Sequence, residues 1–345
     1  MSFYDGTKLL SLRDINRKRP EIYISTTNRN AGKTTFFNRM LMNKYVKRKE
    51  KFCLVYRYNY ELDDCGSKFF KSIGKLFFNN HEVHSKMHSD KTYAEIYFDG
   101  NLCGYGVSLN KSNEIKKCSH LLSDTRYMLF DEFQPENNRY LKGEVKALMS
   151  IHTSLAREEG KQVKYLPLYM ISNTVSIANP YFLAMGITNL LRSNTKYLRG
   201  DGFVLEQSYY EDVANMQLES GFNRALSSDS YVAYASQNVY LNDNTTFIDK
   251  PSGASRYICT IVSDKNYSIR YYVDIGLYFM DKTYDRDNKT QISFETKNHN
   301  SNTILATASS NYGRMLKELF EKGMIRFANY ECKNTFITLL KYNVA

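Results

Sequence analysis

The first half of the chain alternates short apolar, β-branched runs with stretches of helical periodicity. EIYIST (21–26) is bounded by Pro20 and a turn and predicts a strand. Residues 33–49 follow with Phe37, Met40 and Leu41 on one helical face. Their basic end, Lys47, Arg48 and Lys49, suits the negative pole of a helix. FCLVY (52–56), AEIYF (94–98), LCGYGVSL (102–109) and YMLFDE (127–132) read as further strands. A helix fits 142–156, and LPLYMIS (166–172) reads as another buried strand. Strands alternating with helices predict a mostly parallel α/β sheet covered on both faces.

The pattern changes at LRGDGFVL (198–205), where Gly200 and Gly202 suggest a hinge. Residues 206–228 read as an amphipathic helical segment. SYVAYA, SRYICTIVS, YSIRYYVDIGLYF and QISFE then read as strands, YGRMLKELFEKGMI as a helix and NTFITLL as a last strand. The expected organisation is an N-terminal domain over 1–199, a linking segment over 200–228 and a smaller α+β domain over 229–345. No internal repeat or low-complexity tract interrupts it.

Candidate chemistry sits at the ends of the predicted strands. Thr27, Asn28, Arg29, Asn30, Ala31, Gly32, Lys33 and Thr34, with Thr35 behind them, match G-x-x-x-x-G-K-[ST] except that Thr27 stands in the first glycine position. The match follows a strand and opens a helix, as a phosphate loop requires. Backbone N–H groups and the helix N-terminus would cradle the phosphates of ATP. Lys33 would reach the β- and γ-phosphates, and the Thr34 hydroxyl would bind Mg²⁺. YMLFDE ends in two carboxylates: Asp131 would hold Mg²⁺ and Glu132 would polarise the attacking water. The next strand ends in an amide, Asn173, placed to sense the γ-phosphate; a strand-end Asn that only forms a turn fits the sequence equally well.

Composition narrows the classes. A net charge of +11 and pI near 9.1 favour a polyanionic partner such as nucleic acid. Lysine clusters at 44–51, 116–117 and 142–146 are candidate DNA contacts, and the polar stretch 99–118 is a candidate gripping loop. No apolar run is long enough for a membrane helix, and MSFYDGTKLL does not read as an export signal. Six cysteines without a C-x-x-C pair are expected to be reduced thiols. His81, His84 and His88 fit no standard zinc spacing.

TTNRNAGKTT, LVYRYNYEL, MLFDEF and SNTVSIANPYF, in this order, resemble the DNA-encapsidation ATPases of small podoviruses, the phi-twenty-nine-like packaging motors. The resemblance spans about residues 20–185 at motif level and continues more loosely beyond. It implies an additional-strand, catalytic-glutamate P-loop ATPase followed by a vestigial, nuclease-inactive RNase H-like domain. It implies a homopentameric ring at the capsid portal that moves double-stranded DNA in the host-cell cytoplasm, with a structural packaging RNA as a further partner in some systems. Arg29 matches the family's loop arginine, Asn173 its coupling asparagine, and Arg157 in SLAREEG its trans-acting arginine. An exposed helix-end arginine fits Arg157 as well. Arg57, Tyr58 and Glu61 match a motif after the second strand with no role derivable from sequence. Asp249, Asp264, Asp274 and Asp281 do not assemble into the acidic cluster of two-metal cleavage, so no nuclease activity is expected.

A ring helicase or other DNA-remodelling ATPase would share every one of these contacts. A small-molecule kinase fits the paired acids less well. A GTPase would carry N-K-x-D, which is absent. A relic loop on a DNA-binding protein would not need Lys33, Thr34, Asp131 and Glu132 together.

Overall fold

In the computed structural model, the described residues are 3–136, 139–157, 163–175, 179–187, 190–191, 195–225, 248, 250–285, 287–307, 309–322 and 324–342. The chain divides into two compact units, one of Met1–Ala184 with Ser193–Asn242 and one of Met185–Arg192 with Asp243–Ala345.

The first unit opens with helix α1 (Thr7–Ser11), strand β1 (Ile22–Thr27), helix α2 (Lys33–Arg48) and strand β2 (Lys51–Tyr56). Helices α3 (Cys65–Lys71) and α4 (Gly74–Phe77) lead to strands β3 (Val83–Met87), β4 (Tyr93–Phe98) and β5 (Asn101–Ser108). Then come α5 (Ser112–Cys118), β6 (Thr125–Asp131), α6 (Glu144–Leu155), β7 (Leu168–Asn173) and α7 (Pro180–Ala184). Strands β8 (Tyr197–Arg199) and β9 (Phe203–Ser208) and helices α8 (Glu211–Leu218) and α9 (Gly221–Ala225) follow.

The nine strands form one sheet in the order β3-β4-β5-β2-β6-β7-β1-β9-β8. Its centre is parallel: β1 pairs with β7 and β9, β2 with β5 and β6, and β6 with β7. The carboxyl ends of these strands therefore share one edge, where open α/β sheets place their ligands. Because neighbours cover both faces, β1 is buried almost throughout instead of alternating. Tyr23, Leu129 and Tyr169 pack with Phe37 and Leu41 of α2 in one continuous core.

Three expectations are corrected here. Residues 200–208 are not a linker. Gly202, at a left-handed φ of 75°, turns a β8–β9 hairpin, and β9 docks parallel on β1. The DG turn is local, but the partner strand is about 180 residues away and invisible to periodicity. The helical reading of 206–228 is right only after β9, in α8 and α9. The stretch 99–118 is not a loop: β5 carries six buried residues in a row into the sheet, and α5 follows.

The second unit contains a six-stranded sheet of β10 (Ser255–Val262), β11 (Asn266–Tyr272), β12 (Leu277–Asp281), β13 (Gln291–Ser293), β14 (Ile304–Leu305) and β15 (Ile325–Phe327), in the order β14-β13-β10-β11-β12-β15. Helices Asn311–Glu321 and Tyr330–Tyr342 contribute Leu316, Phe336 and Leu339 to its core with Ile261, Ile269 and Met280. NTFITLL is thus helix rather than strand. Its β-branched residues suggest β structure, but Cys332, Phe336 and Leu339 recur at helical spacing and are all buried. SYVAYA lies outside the described residues.

Candidate nucleotide site

The loop between β1 and α2 takes its shape from two left-handed residues. Asn30 has a φ of 62° and Gly32 of 96°, a region that glycine enters freely and asparagine tolerates. Thr27, in the first glycine position of the motif, keeps an ordinary negative φ, so this loop does not require glycine there. Its hydroxyl instead accepts a 2.6 Å hydrogen bond from Lys33 Nζ. Lys33 also donates to Asn173 Oδ1 at 3.2 Å. It is only 6% exposed, and burial lowers its pKa to about 8 against the opposing pull of Asp131 and Glu132.

Thr34 Oγ1 donates to Asp131 Oδ2 at 2.8 Å, which ties the first turn of α2 to the end of β6. Burial raises the Asp131 pKa, while bonds from Thr34 and the Glu132 amide and the charge of Lys33 hold it down. Glu132 follows in a left-handed conformation, φ 54°, uncommon for a non-glycine residue. Desolvation, then the charges of Asp131 and Glu136, raise its pKa; Arg29 opposes them. Arg29 itself pairs with Glu136 at 2.8 Å. Of the remaining loop residues, Ala31 is fully buried and Thr35 lies in the first turn of α2.

Arg57 now has a structural setting. It is buried, and its guanidinium grips the Glu144 carboxylate through Nε (3.1 and 3.0 Å) and Nη2 (2.9 Å). The same group donates to Phe133 O at 3.0 Å and Glu132 O at 3.4 Å, bracing the turn that carries Glu132. Tyr181 Oη adds a 2.7 Å bond to Glu144. The SNTVSIANPYF segment therefore contributes at three places: Asn173 to Lys33, Asn179 as the cap accepting from Phe182 N, and Tyr181 to the buried carboxylate. Glu61 closes a turn by accepting from Tyr58 N at 2.6 Å.

Sequence reasoning missed the residues that brace the loop from behind. The Asn28 amide donates to Tyr210 O (3.2 Å) and accepts from Tyr210 N (3.1 Å), and Gln217 of α8 donates to Arg29 O (3.2 Å). No local motif marks Tyr210 or Gln217, because their role depends on β9 lying beside β1.

Arg157 is not in this cluster. It is exposed just beyond α6, whose first residue, Glu144, is the one gripped by Arg57. A helix of 12 residues separates the two places by roughly 18 Å. Arg157 lines a surface cavity of about 580 Å³ with Lys116, Lys146, Ser150 and Thr153. His81, His84 and His88 are likewise dispersed: His81 pairs with Asp99, His84 stacks on Tyr97, and His88 pairs with Asp90. Asp264 pairs with Lys297, Asp281 bonds to Lys282 N and Thr283, and Asp249 lies outside the described residues. Among the described residues no three His, Cys, Asp or Glu side chains gather as a metal site. All six cysteines are free, and no described helix is long and apolar enough to cross a membrane.

The sequence model of the Podovirus DNA encapsidation protein (Gp16) family matches residues 2–344. This chain belongs to that family. The DNA packaging protein of Bacillus phage phi29 is 27% identical, over 98% of this chain and 97% of its own length. That of Bacillus phage B103 is 27% identical over 90% and 86%. In fold, this encapsidation protein is similar to a chain of the bacteriophage phi29 viral genome packaging motor assembly, with a TM-score of 0.65, 24% identity and 99% of each chain covered. It is also similar to the Phi-28 gp11 DNA packaging motor, with a TM-score of 0.56, 16% identity and coverage of 99% and 96%.

Proposed function

We propose that this encapsidation protein is an ATP-driven motor that moves double-stranded viral DNA into a preformed capsid. The observation that carries the reading is the convergence of Lys33, Thr34, Asp131 and Asn173 from the carboxyl ends of β1, β6 and β7. An ammonium, a hydroxyl, a carboxylate and an amide so placed suit a magnesium–triphosphate. The loop amides and Lys33 bind phosphate, and Lys33 regains an ordinary pKa beside it. Thr34 and Asp131 are already in hydrogen-bond contact and would hold Mg²⁺, which supplies charge neutralisation between the phosphates. Glu132, raised in pKa and presented by a braced turn, accepts the proton of the attacking water. Asn173 bonds Lys33 and is placed to report the γ-phosphate to β7 and the segment after it.

Arg157 stands exposed beyond the opposite end of α6 from Glu144, with Lys116 and Lys146 beside it, and in this reading it serves the triphosphate of a neighbouring subunit. This fits a ring, pentameric by the family resemblance, docked at the capsid portal. In the second unit, β12-β11-β10-β13-β14 runs as three antiparallel strands continued by two parallel ones, the order of an RNase H-like sheet. Asp264 is paired with Lys297, and Asp281 accepts from Lys282 N and Thr283, which suits a domain without nuclease chemistry.

The test is ATP-dependent protection of DNA from nuclease by purified portal-bearing empty capsids, with and without this protein. Protection that needs protein, capsid and ATP supports the motor. Fork unwinding without capsids, and no protection with them, would assign a helicase instead.

A further inference from the structure

β6 ends at Asp131, opposite Ile171 of β7, and the turn that follows carries Glu132 out of the sheet at its left-handed φ. The link between the two chains does not stop there. Phe133 N donates to Ile171 O at 3.4 Å, and the next side chain takes over: Gln134 Oε1 accepts from Val175 N at 3.2 Å. A side-chain oxygen stands in for the backbone carbonyl that the turn has carried away. Gln134 is 2% exposed, and Thr174 and Val175 are fully buried, so this bond is shielded from competing water.

Both ends of that bond lead to the nucleotide site. Gln134 follows Glu132 by two residues. Val175 follows Asn173 by two residues, and Asn173 Oδ1 accepts from Lys33. Arg57 fixes the same turn from the β2 side, through Glu132 O and Phe133 O. Gln134 ties the far end of the turn to the segment that leaves β7.

We propose that Gln134 is a positioning residue for ATP hydrolysis: through Val175 it holds Glu132 in register with Asn173, so that the water-activating carboxylate and the amide beside Lys33 move as one unit. The proposal rests on the hydrolytic reading above and adds the residue that joins its two strand ends. A displacement of about 1 Å at a reacting group costs up to roughly 10²-fold in rate. The bond acts on Glu132 and leaves Lys33 and Thr34 in place, so its loss falls on turnover and not on nucleotide binding.

The experiment measures Mg-ATP affinity and kcat in the full-length protein for wild type, Gln134→Met, Gln134→Glu, Asn173→Ala and the Gln134→Met/Asn173→Ala double variant. Met keeps the bulk of the side chain and removes the acceptor, whereas Glu keeps the acceptor. The expected result is that Gln134→Met binds Mg-ATP as wild type does and loses roughly 10- to 10²-fold in kcat. Gln134→Glu should retain more kcat than Gln134→Met. The double variant should be no slower than the slower single variant, because both substitutions break one link. Unchanged kcat in Gln134→Met, a loss of ATP affinity that matches its loss of rate, a Gln134→Glu slower than Gln134→Met, or losses that multiply in the double variant would each overturn the positioning role. Wild-type protein that binds Mg-ATP and does not hydrolyse it overturns the hydrolytic reading itself.

Discussion

Lys33 is a buried ammonium whose hydrogen-bond acceptors are the neutral oxygens of Thr27 and Asn173. Burial brings its pKa down from 10.5 to about 8, and two consequences follow with defined sign. Phosphate binding needs the charged form, so ATP affinity should fall as pH rises through about 8; titrations at pH 7 and 9.5 that give equal affinities would contradict this. Without nucleotide, the native state releases this proton before the unfolded state does. Between about 8 and 10.5 the unfolded chain therefore binds more protons, and this group adds stability as pH rises across that window. Lys33→Met removes the buried charge. It should abolish nucleotide binding yet melt no lower than wild type at pH 7, a result that thermal denaturation would read directly. Glu132 calls for a different substitution. Glu132→Gln keeps the shape but cannot take a proton, so it should bind ATP normally and hydrolyse it roughly 10²- to 10⁴-fold more slowly. Turnover at the wild-type rate would remove Glu132 from its role.

Between elements, the Arg57–Glu144 pair ties the end of β2 to the start of α6 and to the turn after β6. Both residues are almost fully buried, so neither charge can be left alone cheaply. Arg57→Met should destabilise by about 3–5 kcal/mol because it strands the Glu144 carboxylate. Adding Glu144→Leu should recover much of that loss, while hydrolysis stays low because the Glu132 turn has lost its brace. Denaturant unfolding of the two single variants and the double variant measures the coupling; purely additive losses would contradict it. Element-level legibility was uneven for physical reasons. Strands β1, β6 and β7 are apolar runs bounded by turns, and their pattern alone marks them. The helix Tyr330–Tyr342 was hidden because Thr335, Ile337 and Thr338 favour strands locally, and packing of Phe336 and Leu339 into the core overrode that preference.

For the whole molecule, the decisive question is whether Arg157 acts across a subunit boundary. Arg157→Ala should depress hydrolysis most in assembled rings. Mixed rings of Arg157→Ala and Lys33→Ala subunits should regain activity, since each supplies what the other lacks. No recovery in rings of verified assembly would place Arg157 outside the reaction. The sequence by itself marked the candidate phosphate loop, the acidic strand end and the amide strand end, because each is a local pattern of neighbours along the chain; what the amide at Asn173 does was left open there. It also determined the alternation that makes a parallel sheet. Tertiary structure decided what depends on strand order. It set β9 beside β1, joined Asn28 to Tyr210, aimed Arg57 at Glu144, and left Arg157 beyond the opposite end of α6 from Glu144. Those contacts join residues far apart in the chain, and no periodicity or spacing encodes which strand becomes whose neighbour.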